Sequence, residues 1–241
     1  MFLGVLMTVR GQADRGDCQS LDFELKSGDS QFQALLVEPL LSSFQDSSGL
    51  VQQLFVRLGK HGLKLADVKF EAGGGTLAEV QWTCCLIAYS VIVRIRLDNV
   101  EVHCFNFRAV TQEQLGDVIV GALEAVKSHV PTAAFKLYTL SYGLHGLVAG
   151  TPAVQFLASY AHPPEPELGP LTGSGAVFYY GETTERARST LVVDLSAAID
   201  NGVYVRPTAV WDASRVAIGS LPGLATAFVH DALRQVGLTL R

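Results

Sequence analysis

Two local features resemble catalytic or phosphate-binding motifs. Ser141 and His145 lie four residues apart in a strand-like segment, so both side chains should point to one face. At about 3.3 Å per residue they would be about 13 Å apart, too far for the hydrogen bond between a serine nucleophile and its base. The run Gly73–Gly75 is followed by a strand pattern without a lysine, unlike a phosphate-binding loop. The sequence therefore favours a non-enzymatic protein over an enzyme.

Cysteines and histidines lack the spacing that is typical of metal sites. The four cysteines (Cys18, Cys84, Cys85, Cys104) form no C-x-x-C motif, and the six histidines form no H-x-H or H-x-x-x-H motif. The adjacent Cys84 and Cys85 fall in an apolar run, where small buried side chains are expected. We therefore predict no disulfide framework, no metal site and no cofactor.

Aromatic side chains in strand-like segments are the best candidates for contacts with a ligand. They combine a large apolar surface with a polar group, as side chains in small-molecule pockets often do. The alternative interpretation is that they are ordinary residues of the core. If there is a ligand site, we expect it on the concave side of the sheets, lined by Trp82, Tyr138, Tyr142, His145 and Trp211.

The composition is unusually poor in charge and rich in apolar residues. Charged residues make up 17% of the 241 residues, against about 25% in an average globular domain, and the mean hydropathy is +0.28. The net charge of −5 and the absence of a Lys/Arg cluster argue against nucleic-acid binding. No apolar run approaches the roughly 20 residues of a membrane helix. The apolar surplus predicts either a sheet buried on both faces or a surface covered by a second copy or a protein partner.

The N-terminal segment does not have the order of a secretory signal. The apolar stretch Met1–Val9 is followed by Arg10, whereas a signal peptide carries its positive charge before the apolar region. We expect residues 1–17 to form an edge strand or a frayed segment, and the protein to be cytoplasmic.

The segment 91–107 has the clearest hairpin pattern. Val93, Ile95 and Leu97 alternate with arginines, and Asp98-Asn99 can form a two-residue loop with positive φ. This loop would place Arg96 opposite Glu101, and the resulting ion pair would disfavour a shift of register.

Two long helices and several strand patterns define the fold class. Thr111 and Gln114 form a capping box that begins a helix at about 111–129, and a closing helix spans about 220–236. We predict an α+β fold with mainly antiparallel sheet and both long helices on one face. Its two halves, 18–130 and 131–241, share the order strand, helix, strands, helix and would pack as one globular unit, as a tandem repeat would.

Parts of the second half resemble a known group of proteins. The strand Leu191–Leu195, the strand segment 203–210 and the helix with Phe228, His230 and Leu233 are similar to the end of a sporadically distributed bacterial family of uncharacterised cytosolic proteins. Members show a strand of L-D-x-D character and a closing helix with an L-H-x-x-I/L core. The likeness covers about 90–241, although Leu140-Ser-Tyr-Gly replaces the usual Arg-Tyr-Ile-Asn. It implies a bacterial cytosolic protein and no particular activity.

The sequence supports three functional hypotheses. The first is a non-enzymatic binding or assembly protein that works through an apolar sheet face or an oligomer interface, with a second copy or another protein as partner. The second is a carrier of a lipid-like small molecule, held in a cavity between sheet and helix. The third is a hydrolase or transferase whose catalytic residues are distant in sequence.

Overall fold

The described parts of the chain form one ten-stranded sheet with helices on one face. The computed structural model describes residues 20–71, 79–160, 173–184 and 186–241, excluding the side chains of residues 44 and 45. The strands are β1 (Leu21–Leu36), β2 (Val68–Glu71), β3 (Gln81–Leu86), β4 (Val91–Arg96), β5 (Asn99–Cys104), β6 (Phe135–Val148), β7 (Ala176–Tyr180), β8 (Arg188–Leu195), β9 (Val203–Asp212) and β10 (Leu238–Leu240). The α-helices are α1 (Leu41–Gln45), α2 (Ser47–Leu58), α3 (Gln112–His129), α4 (Ala153–Ala158) and α5 (Leu221–Gln235).

The sheet confirms the predicted α+β class with mainly antiparallel pairing. The strand order is β2-β3-β4-β5-β1-β6-β9-β8-β7, and β10 pairs in parallel with the start of β1. The long strands β1 and β6 pair along almost their whole length and so join the two parts of the chain. The long helices α3 and α5 pack together, where Gly116 lies against Pro222. None of the helices in the described ranges is long and apolar enough to span a membrane.

The two faces of the sheet differ sharply in polarity. On β1, Phe32 and Ala34 point towards the helices and are buried, whereas Gln31 and Gln33 point to the other face. A bulge between Leu25 and Ser27 shifts this alternation by one residue, which keeps Phe23 and Ala34 on the same buried side. The apolar residues therefore fill one large core between the sheet and the helices, and the second face carries mainly polar side chains.

The two parts of the chain have corresponding elements on either side of the β1–β6 pair. The order strand, helix, strands, long helix holds for β1 to α3 and again for β6 to α5. In the sheet, β5 flanks β1 as β9 flanks β6, and β4 and β8 come next. The boundaries at 18–130 and 131–241 and a tandem origin stay predictions, and residues 1–17 lie outside the described residues.

The predicted loop of the 91–107 hairpin is wrong by one position. Ile95 pairs with Val100 and Arg94 with Glu101, so the loop consists of Leu97 and Asp98. The carbonyl of Asp98 accepts a 2.9 Å hydrogen bond from the backbone N–H of Leu36, which ties the loop to the end of β1. Tertiary pairing with β1 thus overrides the local turn preference. Positive φ angles occur instead in the β3–β4 connection, at residues 87–89.

Helix α3 begins at the predicted capping box. The N–H of Gln114 donates to the Thr111 hydroxyl at 3.1 Å, and the N–H of Thr111 donates to the Gln114 side chain at 3.0 Å. Both bonds satisfy backbone donors that the first helical turn leaves free. In α2 the cap is Asp46, which accepts from the Gly49 N–H at 3.0 Å, rather than the serines that follow it.

Candidate functional site

The five aromatic and imidazole side chains predicted to contact a ligand do not converge. Trp82, Tyr138, Tyr142 and Trp211 lie on the helix-covered face, on three different strands, and none is more than 4% exposed. His145 lies on the opposite, open face. Most of these rings pack in the core, as the edge-to-face contact between Trp211 and Phe228 at 6.0 Å illustrates.

His145 forms a serine–histidine pair that the sequence did not suggest. Its Nδ1 lies 2.8 Å from the hydroxyl of Ser196, and its ring stacks on Tyr204 at 4.6 Å. The Ser196 oxygen also accepts hydrogen bonds from the N–H groups of Ala198 and Ile199. With its acceptor sites used in this way, the hydroxyl donates to His145 and holds the β8–β9 turn. The pair therefore has a structural role in this conformation. Ser141 bonds elsewhere, to Thr208 and Arg206.

Tyr142 lines an apolar cavity of about 240 Å³ between the sheet and the two long helices. Burial raises the pKa of its hydroxyl to about 12, although a hydrogen bond with the Gln112 side chain acts in the opposite direction. The rest of the wall is mostly aliphatic, so the cavity could hold only a small apolar molecule with one hydrogen-bonding group. It is lined by Leu25, Phe107, Val110, Thr111, Gln112, Leu115, Tyr142, Leu144, Val229 and Leu240.

The open face of the sheet has a shallow depression above β6 and β9. The Nε–H of Arg206 donates to the Ser141 hydroxyl at 2.9 Å, and that hydroxyl lies 3.0 Å from the Thr208 hydroxyl. Gln31 and Thr190 also border the depression. These groups offer hydrogen bonds to a polar ligand, but antiparallel sheets commonly carry such side chains on a solvated face.

A larger groove of about 480 Å³ lies on the helix side of the sheet, between α5 and the strands β7 and β8. We call it the α5 groove. Its floor is apolar and its rim is polar, the usual composition of a binding site. It is lined by Tyr180, Thr183, Arg186, Ser189, Thr190, Leu191, Phe228, Asp231, Ala232 and Gln235.

Two charged side chains stand on the rim of the α5 groove. The Arg186 guanidinium lies over the Phe228 ring, 5.2 Å from its centre, which is a cation–π geometry. Asp231, on α5, accepts a 2.6 Å hydrogen bond from Arg234 one turn further along the helix. Partial burial raises the pKa of Tyr180, which lies beside Thr183 in the wall. The groove thus presents one positive and one negative group around an apolar floor.

The strand next to the α5 groove ends the sheet. Among the described residues β7 pairs only with β8, so no described strand occupies its outer edge. The strand carries no charge, and its side chains Val177 and Tyr179, 50% and 81% exposed, lie on the open face opposite Val192 and Thr190. Exposed apolar side chains therefore lie on both edge strands of the sheet, at Val177 and Tyr179 of β7 and at Phe70 of β2, whereas the apolar floor of the α5 groove is almost completely buried.

The residues of the α5 groove were absent from the set predicted from sequence. The sequence of the closing helix contains a hint of this site, because Phe228, Asp231 and Gln235 recur at helical spacing and so lie on one face of the helix. Only the structure shows that this face adjoins β8.

Comparison with known proteins found no relative of this chain. No protein-family model matches the sequence, and no curated protein is significantly similar to it. The resemblance to a bacterial cytosolic family therefore stays a prediction. Within the described ranges, no cluster of three or more His, Cys, Asp or Glu side chains could hold a metal ion.

Proposed function

We propose that this chain is a non-enzymatic binding or assembly protein whose α5 groove receives a protein partner. The observation that carries the proposal is the groove itself, an apolar depression of about 480 Å³ beside an exposed edge strand. Each aliphatic side chain that a partner buried there would contribute about 1.5–3 kcal/mol to binding, before the costs of association. The low share of charged residues, 17%, is consistent with such an interface, because surfaces that bind proteins are poorer in charge than solvated ones.

The position of the groove favours a protein over a small molecule as its ligand. The groove that contains Leu191 and Ala232 extends to β7 at Tyr180, which is 39% exposed, so a partner in the groove can also reach the edge strand. A free strand edge next to an apolar surface is where protein partners add strands or pack helices. We infer that the partner is another protein or a second copy of this chain. We place the interaction in a bacterial cytoplasm, in keeping with the free thiols of Cys84, Cys85 and Cys104.

The proposal is tested by photo-cross-linking in the native host. Gln235, on the groove wall, is replaced by p-benzoylphenylalanine, and the same replacement at Ala227 serves as control because it lies on the exposed side of the same helix. We expect one defined product from position 235, which Ala232→Arg abolishes, and none from position 227. The partner is then purified, and its affinity for the Ala232→Arg chain should be at least about tenfold lower than for the wild type.

The cross-linked product shows whether the partner is a second copy of the chain, and the absence of a product argues against the proposal. If the product contains two copies of the chain, light scattering should show a dimer that Ala232→Arg dissociates. If the chain that carries p-benzoylphenylalanine at position 235 gives no product, and the wild-type chain stays monomeric at its highest soluble concentration, the proposed function is wrong.

The cavity around Tyr142 favours carriage of a small molecule as a second candidate. Its volume of about 240 Å³ exceeds that of an engineered apolar cavity of about 150 Å³ that binds benzene. We expect indole to raise the melting temperature of the wild-type chain but not of Val229→Phe, which fills the cavity. Equal responses of the two proteins would remove this candidate. The hydrolase or transferase hypothesis has no cluster of acid, base and nucleophile in its favour within the described ranges.

A further inference from the structure

The two long helices share part of their pattern of buried residues. Aligning α3 and α5 on Gly116 and Gly223 requires no gap, and five of the six residues buried in α5 then match buried residues of α3; four further buried residues of α3, such as Leu123, have no buried counterpart in α5. The match includes two alanines, Ala125 and Ala232, and two acids, Glu124 and Asp231. The matching buried pairs are Val118 with Ala225, Gly121 with Phe228, Ala122 with Val229, Ala125 with Ala232, and Val126 with Leu233.

In the first part of the chain a helix covers the outer side of α3. Helix α2 runs antiparallel to α3, since Gly49 lies beside His129 and Lys60 pairs with Asp117 near the other end. Its apolar stripe of Leu50, Leu54 and Leu58 is completely buried. Beside this stripe, Arg57 donates a 2.7 Å hydrogen bond to Glu124 of α3.

In the second part of the chain the corresponding side of α5 is the wall of the α5 groove. The α3 residues that face α2 include Gly121, Glu124 and Ser128. Their counterparts in the alignment are Phe228, Asp231 and Gln235, and all three line the groove. The element that corresponds to α2 is α4, which has 6 residues against 12. The groove is therefore the place that a longer helix would fill.

We propose that the α5 groove receives an amphipathic α-helix from the partner protein, antiparallel to α5. This inference rests on the proposed function and names the kind of segment that binds. By comparison with α2, the partner helix presents apolar side chains at positions i and i+4 and a basic side chain that pairs with Asp231. It carries a small side chain opposite Phe228, because a ring occupies the space that Gly121 leaves open to Leu58.

The charges of the groove set the orientation of this helix. In the described part of the chain Asp231 bonds to its helical neighbour Arg234 alone, and both side chains are exposed, so an incoming Lys or Arg can join them at little cost. Arg186, on the opposite wall, forms no ion pair with another described residue, so it can pair with an acidic side chain of the partner while it remains over the Phe228 ring. Reversing the helix would exchange these two pairings and place like charges together.

The test uses two peptide libraries displayed on phage and selected against the full chain. The helical library has the α2 sequence, residues 47–61, with positions 50, 54, 57 and 58 randomised. The control library contains extended seven-residue segments of alternating polarity, which suit the edge of β7. Both are counter-selected with Ala232→Arg. Ala227→Arg introduces the same side chain on the exposed side of α5 and controls for general effects of the charge.

We expect the helical library to yield binders with apolar residues at 50 and 54, a basic residue at 57 and a small residue at 58. Ala232→Arg should weaken them at least tenfold and Ala227→Arg should not. Asp231→Lys should weaken them up to about fivefold, and a Glu at peptide position 57 should restore the loss. Groove-dependent binders from the extended library alone would overturn the helix and leave the proposed function standing. An absence of groove-dependent binders from both libraries would overturn both.

Because Ala232 is buried, Ala232→Arg could also unfold the chain. Thermal unfolding of the variant is therefore measured first, and Thr183→Trp provides a second block from the exposed rim of the groove. Loss of binding in Thr183→Trp with an unchanged melting temperature supports the groove as the binding surface. Full binding by a folded Thr183→Trp chain and a folded Ala232→Arg chain contradicts it.

Discussion

Replacing Gly146 by alanine adds one methyl group, which should disturb the pairing of β1 with β6. It lies on β6 opposite Leu25, beside the bulge in β1. A Cβ atom at Gly146 would lie 2.5 Å from the carbonyl oxygen of Glu24 and 2.7 Å from Cζ of Phe23. Phe23 is completely buried and the carbonyl belongs to the backbone, so neither group can move aside without displacing the strand pair.

The expected loss for Gly146→Ala follows from two opposing effects. Overpacking of a tight site costs about 1–3 kcal/mol, and contact with a backbone atom places this site at the upper end. The lower entropy of the unfolded alanine chain offsets up to about 1 kcal/mol. The net loss of about 2 kcal/mol should lower the melting temperature by roughly 4–8 °C in a chain of this size.

Urea unfolding followed by circular dichroism measures the effect, with Gly223→Ala as the matched control. Gly223 is exposed in the first turn of α5, and no atom lies within 4 Å of its Cβ position. There the alanine should stabilise the protein by up to about 1 kcal/mol, because alanine is the better helix former. A Gly146→Ala protein as stable as the wild type would refute the reasoning about the close packing of β1 and β6.

Three further substitutions should change the free energy of unfolding in a defined direction. At neutral pH, Tyr142→Phe should lower the free energy of unfolding by about 1 kcal/mol, because the hydrogen bond with Gln112 is lost. At pH 12 the Tyr142→Phe protein should be more stable than the wild type. Burial raises the Tyr142 pKa to about 12, so the wild type is fully stabilised below pH 10 and loses roughly 2–3 kcal/mol towards pH 12; parallel alkaline unfolding curves would contradict this. Ala88→Gly should stabilise by about 0.5–1 kcal/mol, since Ala88 has φ 50°, and a lower urea midpoint would count against it. Thr111→Ala should cost about 1 kcal/mol in the same assay through loss of the capping box, and an unchanged midpoint would exclude that role.

Elements defined by local interactions were predictable from the sequence. The α3 helix begins at Thr111 because its capping box involves residues three apart, and the sequence contains that whole interaction. The antiparallel α+β class likewise follows from strand alternation and two amphipathic helices. These signals depend on neighbours along the chain, so no knowledge of tertiary contacts is required.

Features that depend on distant pairing were not predictable. The hairpin loop at Leu97 and Asp98 is displaced from the expected position because the backbone N–H groups of Leu36, at the end of β1, and of Leu40 bind its carbonyl groups from about sixty residues away in sequence. The candidate site shows the same limit. Aromatic residue types suggested Trp82 and Trp211, which the sheet order places in the core, whereas the α5 groove depends on the shortness of α4 and the neighbourhood of β8.

We propose that this chain binds another protein through the α5 groove. Hydrogen–deuterium exchange of the full chain, with and without the partner identified by cross-linking, tests it directly. We predict slower exchange in residues 228–235 and 176–191 on binding, and no change in that region for the Ala232→Arg chain. Protection confined to the polar open face, with exchange in α5 and β7 unaltered, would contradict the claim.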